Sequence, residues 1–384
     1  FYALAAPDFV CGPAAPAAER NVLGVIGRVG LELGSAVVKA RREAQQIQAI
    51  IGGKPTHPVM GVPGGVTKCI SKDEQEIMIK NAENMLEFAK TSLQVFKDVV
   101  LANKEYMDIV LNKDIYYHES YHMGLVTEKD EFEIHDGKVK VVDQNGKEVA
   151  KYHPDNYLDY IAEASEPWSY EKFPYLKNPG YKGLVDGPDS GIYRATPLSR
   201  LNVCKSMPTP LAQDALMEYR GILKDHGVDG PCQFTLCTHW ARIIEMVGCA
   251  EKCLENVNNK DILNGDIKQY DLVPGGRGVG CVEAPRGTLT HDYTCDENGI
   301  VTACNLVVGT TNNNGPICID VARAAKALIH NYEVSPGLLN MVEMAFRAYD
   351  PCNSCATHAL PGQMPITAVI RNSDGSVYDT ISRN

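Results

Sequence analysis

The stretch Asp350-Pro351-Cys352-Asn353-Ser354-Cys355-Ala356-Thr357-His358 brings two thiols and an imidazole close together in the chain. Asp350 is a good N-cap, and Pro351 fits the first helical position, where its missing N–H costs nothing. A helical turn there would set Cys352 and Cys355 on one face. A helix N-terminus favours thiolate over thiol, so both sulfurs read as soft-metal ligands, with His358 one turn later as a third. Spacing alone leaves three chemistries open. They are half of a zinc site, a redox dithiol, or two buried structural cysteines. A second informative stretch is Val282-Glu283-Ala284-Pro285-Arg286-Gly287. An arginine between proline and glycine sits on a fixed backbone from which its guanidinium can be aimed. Thr310-Thr311-Asn312-Asn313 then places small polar donors at a strand end. The plainer reading is an ordinary hairpin with a surface arginine.

Other reactive residues carry less. His118-Glu119-Ser120-Tyr121-His122 matches the HExxH pattern of zinc peptidases, which requires a helix. Its neighbours Tyr116, Tyr117 and Gly124 favour a strand or turn, so these read as polar residues of a structural segment. Cys232 and Cys237 are too far apart for one helical face, and Cys249 and Cys253 share a face without a second pair in register; structural cysteine fits all four. His57, flanked by a proline, reads as a loop hydrogen-bonder.

The elements that would position these residues are mostly helices. Ala17 to Ile51 reads as helix, with Leu33, Val37, Ala40, Ala44, Ile47 and Ile51 as its stripe. Ser71-Lys72-Asp73-Glu74 is a capping box, predicting a long helix to about Leu111 whose apolar stripe of Met78, Ala82, Met85, Leu86, Ala89, Leu93, Phe96 and Val100 is core. Strands with turns at Asp136-Gly137 and Asn145-Gly146 follow, and residues 166–200, dotted with prolines, read as a surface loop. Helices are expected over Pro210–Leu223, Cys232–Val257, Pro316–Ile329 and Pro336–Ala348, with a hairpin from Thr288–Thr294 to Ile300–Val308. A last hairpin spans Met364–Ile370 and Val377–Ile381. The class is α+β, predominantly helical with small β-hairpins, in a single domain over 1–384.

With 44% hydrophobic and 22% charged residues the composition is that of a globular protein, and a net charge of −11 disfavours nucleic acid and anionic membranes as partners. No apolar run is long enough to span a bilayer, and Phe1-Tyr2-Ala3-Leu4 does not resemble a signal peptide. Thirteen scattered cysteines make a poor disulfide framework and fit a reducing, cytoplasmic compartment.

The string DPCNSCATH resembles the C-terminal metal-binding motif of nickel–iron hydrogenase large subunits, and EAPRG followed by a hairpin and a Thr-Thr-x-Asn-like end resembles the family's second signature. The loop at 56–65 and FYALAAPDF at the start resemble the cytoplasmic viologen-reducing, non-deazaflavin-reducing branch associated with heterodisulfide reductase. The resemblance implies a large-subunit-like helical core and the reversible cleavage of dihydrogen. It implies Cys352 as a terminal nickel ligand, Cys355 as the bridge between nickel and iron, and His358 with the Leu306 carbonyl at a magnesium or iron ion. Arg286 would hang over the open face as base or electrostatic partner, Pro285 would pack on the iron's CO and cyanide ligands, and Thr310 and Thr311 would lie near them. Many members carry proline where Gly309 stands.

The implied partners are an iron–sulfur small subunit, with an electron-transfer subunit and heterodisulfide reductase beyond it, in a methanogenesis setting. Residues 359–384 would be a precursor extension. The family's N-terminal Arg-x-Cys-Gly-x-Cys motif is not found. Val10-Cys11-Gly12-Pro13-Ala14 only mimics it, so a truncated sequence is expected, ahead of a split subunit or a metal-free relative. Two alternatives are a metal-free subunit of a redox complex, like the quinone-site subunit of respiratory complex I, and a zinc hydrolase at His118 and His122.

Overall fold

The computed structural model describes residues 1–331, 333–352 and 366–383, the stretches 366–368 and 381–383 by backbone alone. Its frame is a set of packed helices. The predicted capping box is present: Ser71 N–H donates to Glu74 Oε2 and Glu74 N–H to Ser71 Oγ, starting the Lys72–Phe96 helix. That helix buries Met78, Ala82, Ala89 and Phe96 against the Cys237–Asn258 helix. Trp240 is the centre of this core, edge-on to Tyr219 at 4.8 Å between ring centroids and 5.8 Å from Phe96. Burying one such aromatic contributes roughly 1.5–3 kcal/mol to the packing of these helices.

The helices depart from expectation where local groups compete with the helical ladder. Gly30, at φ 92°, divides the first one into Val22–Val29 and Leu31–Gly52. The second stops at Phe96 and continues through a π-turn, Lys97–Leu101. A new helix, Lys104–Val110, begins at Asn103, whose side chain accepts from Glu105 and Tyr106 N–H. The fourth starts at Cys237 and not at Cys232.

Among the described residues, two of the five sheets have more than two strands. One has four strands in the order Glu148–Tyr152, Lys138–Val142, Tyr121–Val126 and Tyr193–Arg194, the last pair parallel. The other is an antiparallel meander of Gly276–Ala284, Gly287–Cys295 and Val301–Val307. Gly276–Ala284 goes beyond the sequence expectation, because its glycines hide any alternation. The C-terminal hairpin, Ile366–Arg371 with Val377–Arg383, is present as expected.

The largest correction concerns residues 166–200. They contain strand Lys172–Leu176, strand Tyr193–Arg194 and the start of helix Pro197–Val203, and every residue from Ser190 to Leu201 is buried. Two arginines in this stretch cross the core. Arg200 makes a two-pronged pair with Glu245 (2.6 and 2.7 Å) and a third contact with Glu283 at 2.9 Å. Arg194 donates to Ser120 Oγ at 2.8 Å and to the His118 carbonyl at 2.8 Å. A buried guanidinium is tolerated only when its donors are satisfied, so these residues reach partners far away in the chain.

His118 and His122 are fully buried. Burial pushes the His118 imidazole down from its ordinary value, against the pull of Asp320, and burial with the Arg194 charge pushes His122 well below it. Both are therefore neutral in the folded chain at pH 7. Unfolding returns each to about 6.5. Below that pH the unfolded chain binds more protons than the folded one, so stability falls as the pH is lowered, by up to about 1.4 kcal/mol per unit and per histidine. The urea midpoint should be lower at pH 5.5 than at pH 7.5, and His122→Gln should flatten the dependence. A flat profile in the parent chain would contradict the burial of both imidazoles.

Candidate functional site

Arg286, Gly309–Thr310 and Asp350–Cys352 come from distant parts of the sequence and meet at one place. Arg286 occupies the turn between Gly276–Ala284 and Gly287–Cys295. Its Nε donates to the Asp350 carbonyl at 2.6 Å and lies 3.4 Å from the Asp350 carboxylate. The Cys352 N–H donates to Thr310 Oγ1 at 3.2 Å. The side chains of Arg286 and Asp350 are 38% and 24% exposed, so the group lies at the edge of the core, open on one side. Pro285 lines an apolar hollow of about 350 Å³ beside it, with Phe132, Ile134 and Met246 among the other walls.

The meeting is enforced by backbone proximity. A Cβ on Gly287 would stand 2.4 Å from the Gly309 carbonyl oxygen and 2.5 Å from that of Ala195, so no side chain fits. The Asn313 side chain closes the same crossing. Its Nδ2 donates to the carbonyls of Arg286 (3.0 Å), Ala195 (3.1 Å) and Gly309 (3.2 Å), while its Oδ1 accepts from Ala195 N–H at 2.9 Å. Asn312 does similar work one residue earlier, donating to the Thr288 and Val308 carbonyls and accepting from the Tyr193 hydroxyl.

The side chain of Glu283, the first residue of the EAPRG string, is 1% exposed. It accepts from Arg200, from Leu125 N–H (2.7 Å) and from Thr288 Oγ1 (3.0 Å). Burial pushes its carboxyl up from the ordinary value, opposed by the Arg200 guanidinium. Sequence reasoning misses the roles of Asn313, Glu283 and Arg200. The one available signal is a charged or amide residue inside an apolar segment, which must have partners.

The backbone at Asp350 also departs from expectation. Its φ of 51° lies in the left-handed region, uncommon for a residue with a Cβ, and its N–H donates to the Arg347 carbonyl at 3.0 Å. Asp350 thus closes the preceding helix, Pro336–Arg347, and does not adopt the extended backbone of an N-cap. Cys355 and His358 lie outside the described residues. Leu306 is half-buried on the edge strand Val301–Val307, opposite His291.

The groups present suit a sulfur-ligated metal with anionic or polar ligands. Cys352 supplies a soft donor. Thr310 uses its oxygen to accept from Cys352, leaving its hydroxyl proton for another acceptor. Thr311 Oγ1 is buried with no hydrogen-bond partner, a second donor in search of one. Among the described residues no cluster of three or more His, Cys, Asp or Glu side chains could hold a metal alone, so Cys352 would need sulfurs from outside them.

The HExxH pattern does not form a metal site. His118 and His122 lie on extended chain, where four residues span roughly 13 Å, and a helix would be needed to bring them together. Their ring nitrogens face different partners, Asp320 for His118 and Ser199 with Gln233 for His122.

Residues 36–358 match the protein family described as nickel-dependent hydrogenase, and the chain belongs to that family, as the large subunit of a nickel–iron hydrogenase, an oxidoreductase acting on dihydrogen. An F420-non-reducing hydrogenase iron-sulfur subunit of Archaeoglobus profundus is 42% identical over 381 residues, covering 99% of this chain and 77% of that protein. The NAD-reducing hydrogenase HoxS subunit beta of Cupriavidus necator is 36% identical over 395 residues, covering 100% of this chain and 77% of the relative. The crystal structure of an NAD+-reducing NiFe hydrogenase in its H2-reduced state superposes with a TM-score of 0.83 at 33% identity, over 93% of this chain and 76% of that one. The Ni-Fe-Se hydrogenase of D. vulgaris Hildenborough shares the fold at a TM-score of 0.65 and 18% identity, over 92% of this chain and 77% of that one.

Asn313→Ala would leave the Ala195 N–H and three carbonyls without their partner, and should destabilise the chain by on the order of 2–4 kcal/mol, read as a drop in the urea midpoint. A midpoint unchanged within error would show that the crossing is held by other contacts.

Proposed function

We propose that this site is one wall of the hydrogen-splitting centre, and the observation that carries the reading is the convergence of Arg286, Thr310, Asp350 and Cys352. Cys352 would be a terminal nickel ligand and take up the proton released when dihydrogen divides. Cys355 would bridge nickel and iron, and His358 with the Leu306 carbonyl would hold a magnesium or iron ion. A thiolate-bound nickel beside iron carrying CO and cyanide would supply the hydride-accepting half of a heterolytic cleavage.

The described residues do the rest. Arg286 is anchored twice, by its side chain to Asp350 and by its own carbonyl to Asn313, so its charge is fixed before the substrate arrives. A fixed cation beside the reacting atoms stabilises developing negative charge without reorganising during the reaction. Thr310 orients the Cys352 backbone through its oxygen and offers its proton, with that of Thr311, to the iron's ligands. Pro285, with no N–H to offer, presents an apolar surface beside them.

Electrons would leave to an iron–sulfur small subunit, since no cluster motif is legible here; the names of the relatives, given as hydrogenase subunits, support a multi-chain assembly. Placement in the viologen-reducing branch is supported by several relatives named as F420-non-reducing hydrogenase subunits. Association with an electron-transfer subunit and heterodisulfide reductase, in methanogenesis, extends that placement. The described cysteines form no disulfide, which supports a reducing, cytoplasmic setting, and no described helix is long and apolar enough to cross a membrane. The family match ends at His358, which supports reading 359–384 as a precursor extension on a single domain.

Arg286→Lys keeps a charge but loses the planar donor set, so the purified complex should retain nickel and lose at least about 100-fold in hydrogen uptake, of the size expected when one preorganised group is removed. Cys352→Ser should lose the nickel itself. Near-normal uptake by the first, or full nickel in the second measured by elemental analysis, would refute these roles.

A further inference from the structure

Tyr349, the residue before the Asp350–Cys352 turn, is buried, and its hydroxyl donates to Asp320 Oδ2 at 2.6 Å. Asp320 lies on the Asn314–Leu328 helix with 0% exposure. Two other segments reach the same carboxylate. His118 Nδ1 stands 2.7 Å from Oδ1, and Thr235 Oγ1 donates to Oδ2 at 2.8 Å. One buried anion therefore joins the approach to the Tyr121–Val126 strand, the approach to the Cys237–Asn258 helix, its own helix and the turn that carries Cys352.

The protonation pattern follows from the geometry. Burial alone would push the Asp320 carboxyl up, but His118, Arg194 and the Tyr349 hydrogen bond outweigh it and hold it below the usual carboxylate range. Tyr349 is pushed well above its ordinary value, burial first and the Asp320 charge second, so it remains a donor. An ionised Asp320 only accepts, so His118 carries its proton on Nδ1. A phenol donating to a carboxylate at this distance is among the stronger hydrogen bonds a protein makes.

The turn is thus held at three points: Tyr349 by Asp320, the Asp350 carbonyl by Arg286, and the Cys352 N–H by Thr310. Thr310 lies just before the Asn314–Leu328 helix and Asp320 lies within it, so one rigid element and its approach fix both ends of the turn. Burying an ion is costly before compensation, and apolar packing could hold the same segments as well. Position is what apolar packing would not supply, because it has no direction.

We propose that Asp320 is a positioning residue for Cys352, acting through the Tyr349 hydroxyl. This rests on the reading of Cys352 as a nickel ligand. Removal of the phenolic oxygen frees one end of the turn and alters the approach of the sulfur to the metal. Thr235 provides an internal control, because it bonds the same carboxylate oxygen but has no connection to the turn.

The test compares Tyr349→Phe and Thr235→Val with the parent in the purified complex, by nickel content, the nickel electron paramagnetic resonance signal of the oxidised enzyme, and the thermal midpoint. Both variants should lower the midpoint. Only Tyr349→Phe should displace the nickel signal or lose nickel, with Thr235→Val superimposing on the parent. The proposal is overturned if Tyr349→Phe gives the parent signal at full nickel content, or if Thr235→Val displaces it equally. Should Tyr349→Phe not accumulate, Asp320→Glu moves the acceptor while keeping the charge, and a parent-like signal there overturns the proposal in the same way. A parent complex without nickel would instead defeat the reading of Cys352, and this proposal with it.

Discussion

Three backbone segments cross at Gly287 with no room for a side chain between them. The Gly309 and Ala195 carbonyl oxygens stand within 2.5 Å of where a Cβ would be, and Asn313 bonds all three segments. Everything proposed for the site depends on that crossing. It sets the height of Arg286 above the chain that carries Thr310, and Thr310 in turn sets Cys352. Close backbone contact of this kind has few alternative arrangements, because every shift must break hydrogen bonds to buried carbonyls.

Buried charges extend the constraint outward. Arg200 ties Glu283, the residue that begins the Arg286 turn, to Glu245 on the Cys237–Asn258 helix. Arg194 and Asp320 tie the four-stranded sheet to the Asn314–Leu328 helix through His118. These groups are worth little as net stability, since an apolar replacement could pack as well. They confer direction. In the proposed centre a fixed cation and a fixed sulfur would serve catalysis because neither would have to move when charge develops.

The parts of this architecture legible in the sequence are local ones. The capping box at Ser71 and Glu74, the stripe from Met78 to Val100 and the hairpin after residue 365 depend on neighbours a few residues apart. The same holds for the turn that carries Arg286 between Pro285 and Gly287. The misses are long-range or hidden by composition. Residues 166–200 look like a loop because prolines and polar side chains dominate, yet those side chains find partners across the core. Gly276–Ala284 looks like nothing, because glycine carries no face. Arg200 and Glu283 are 83 residues apart, and His118 and Asp320 are 202 apart, so no spacing rule connects them. At Asp350 a good N-cap residue instead ends one helix in a left-handed conformation, where Asp is better tolerated than most side chains.

In the proposed centre the Cys352 sulfur would bind nickel beside Arg286. Nickel-edge X-ray absorption of the purified complex, with selenocysteine in place of Cys352, tests it directly, because selenium scatters far more strongly than sulfur. The expected result is a selenium neighbour bonded to nickel that is absent from the parent. A nickel shell identical in the two proteins would contradict it.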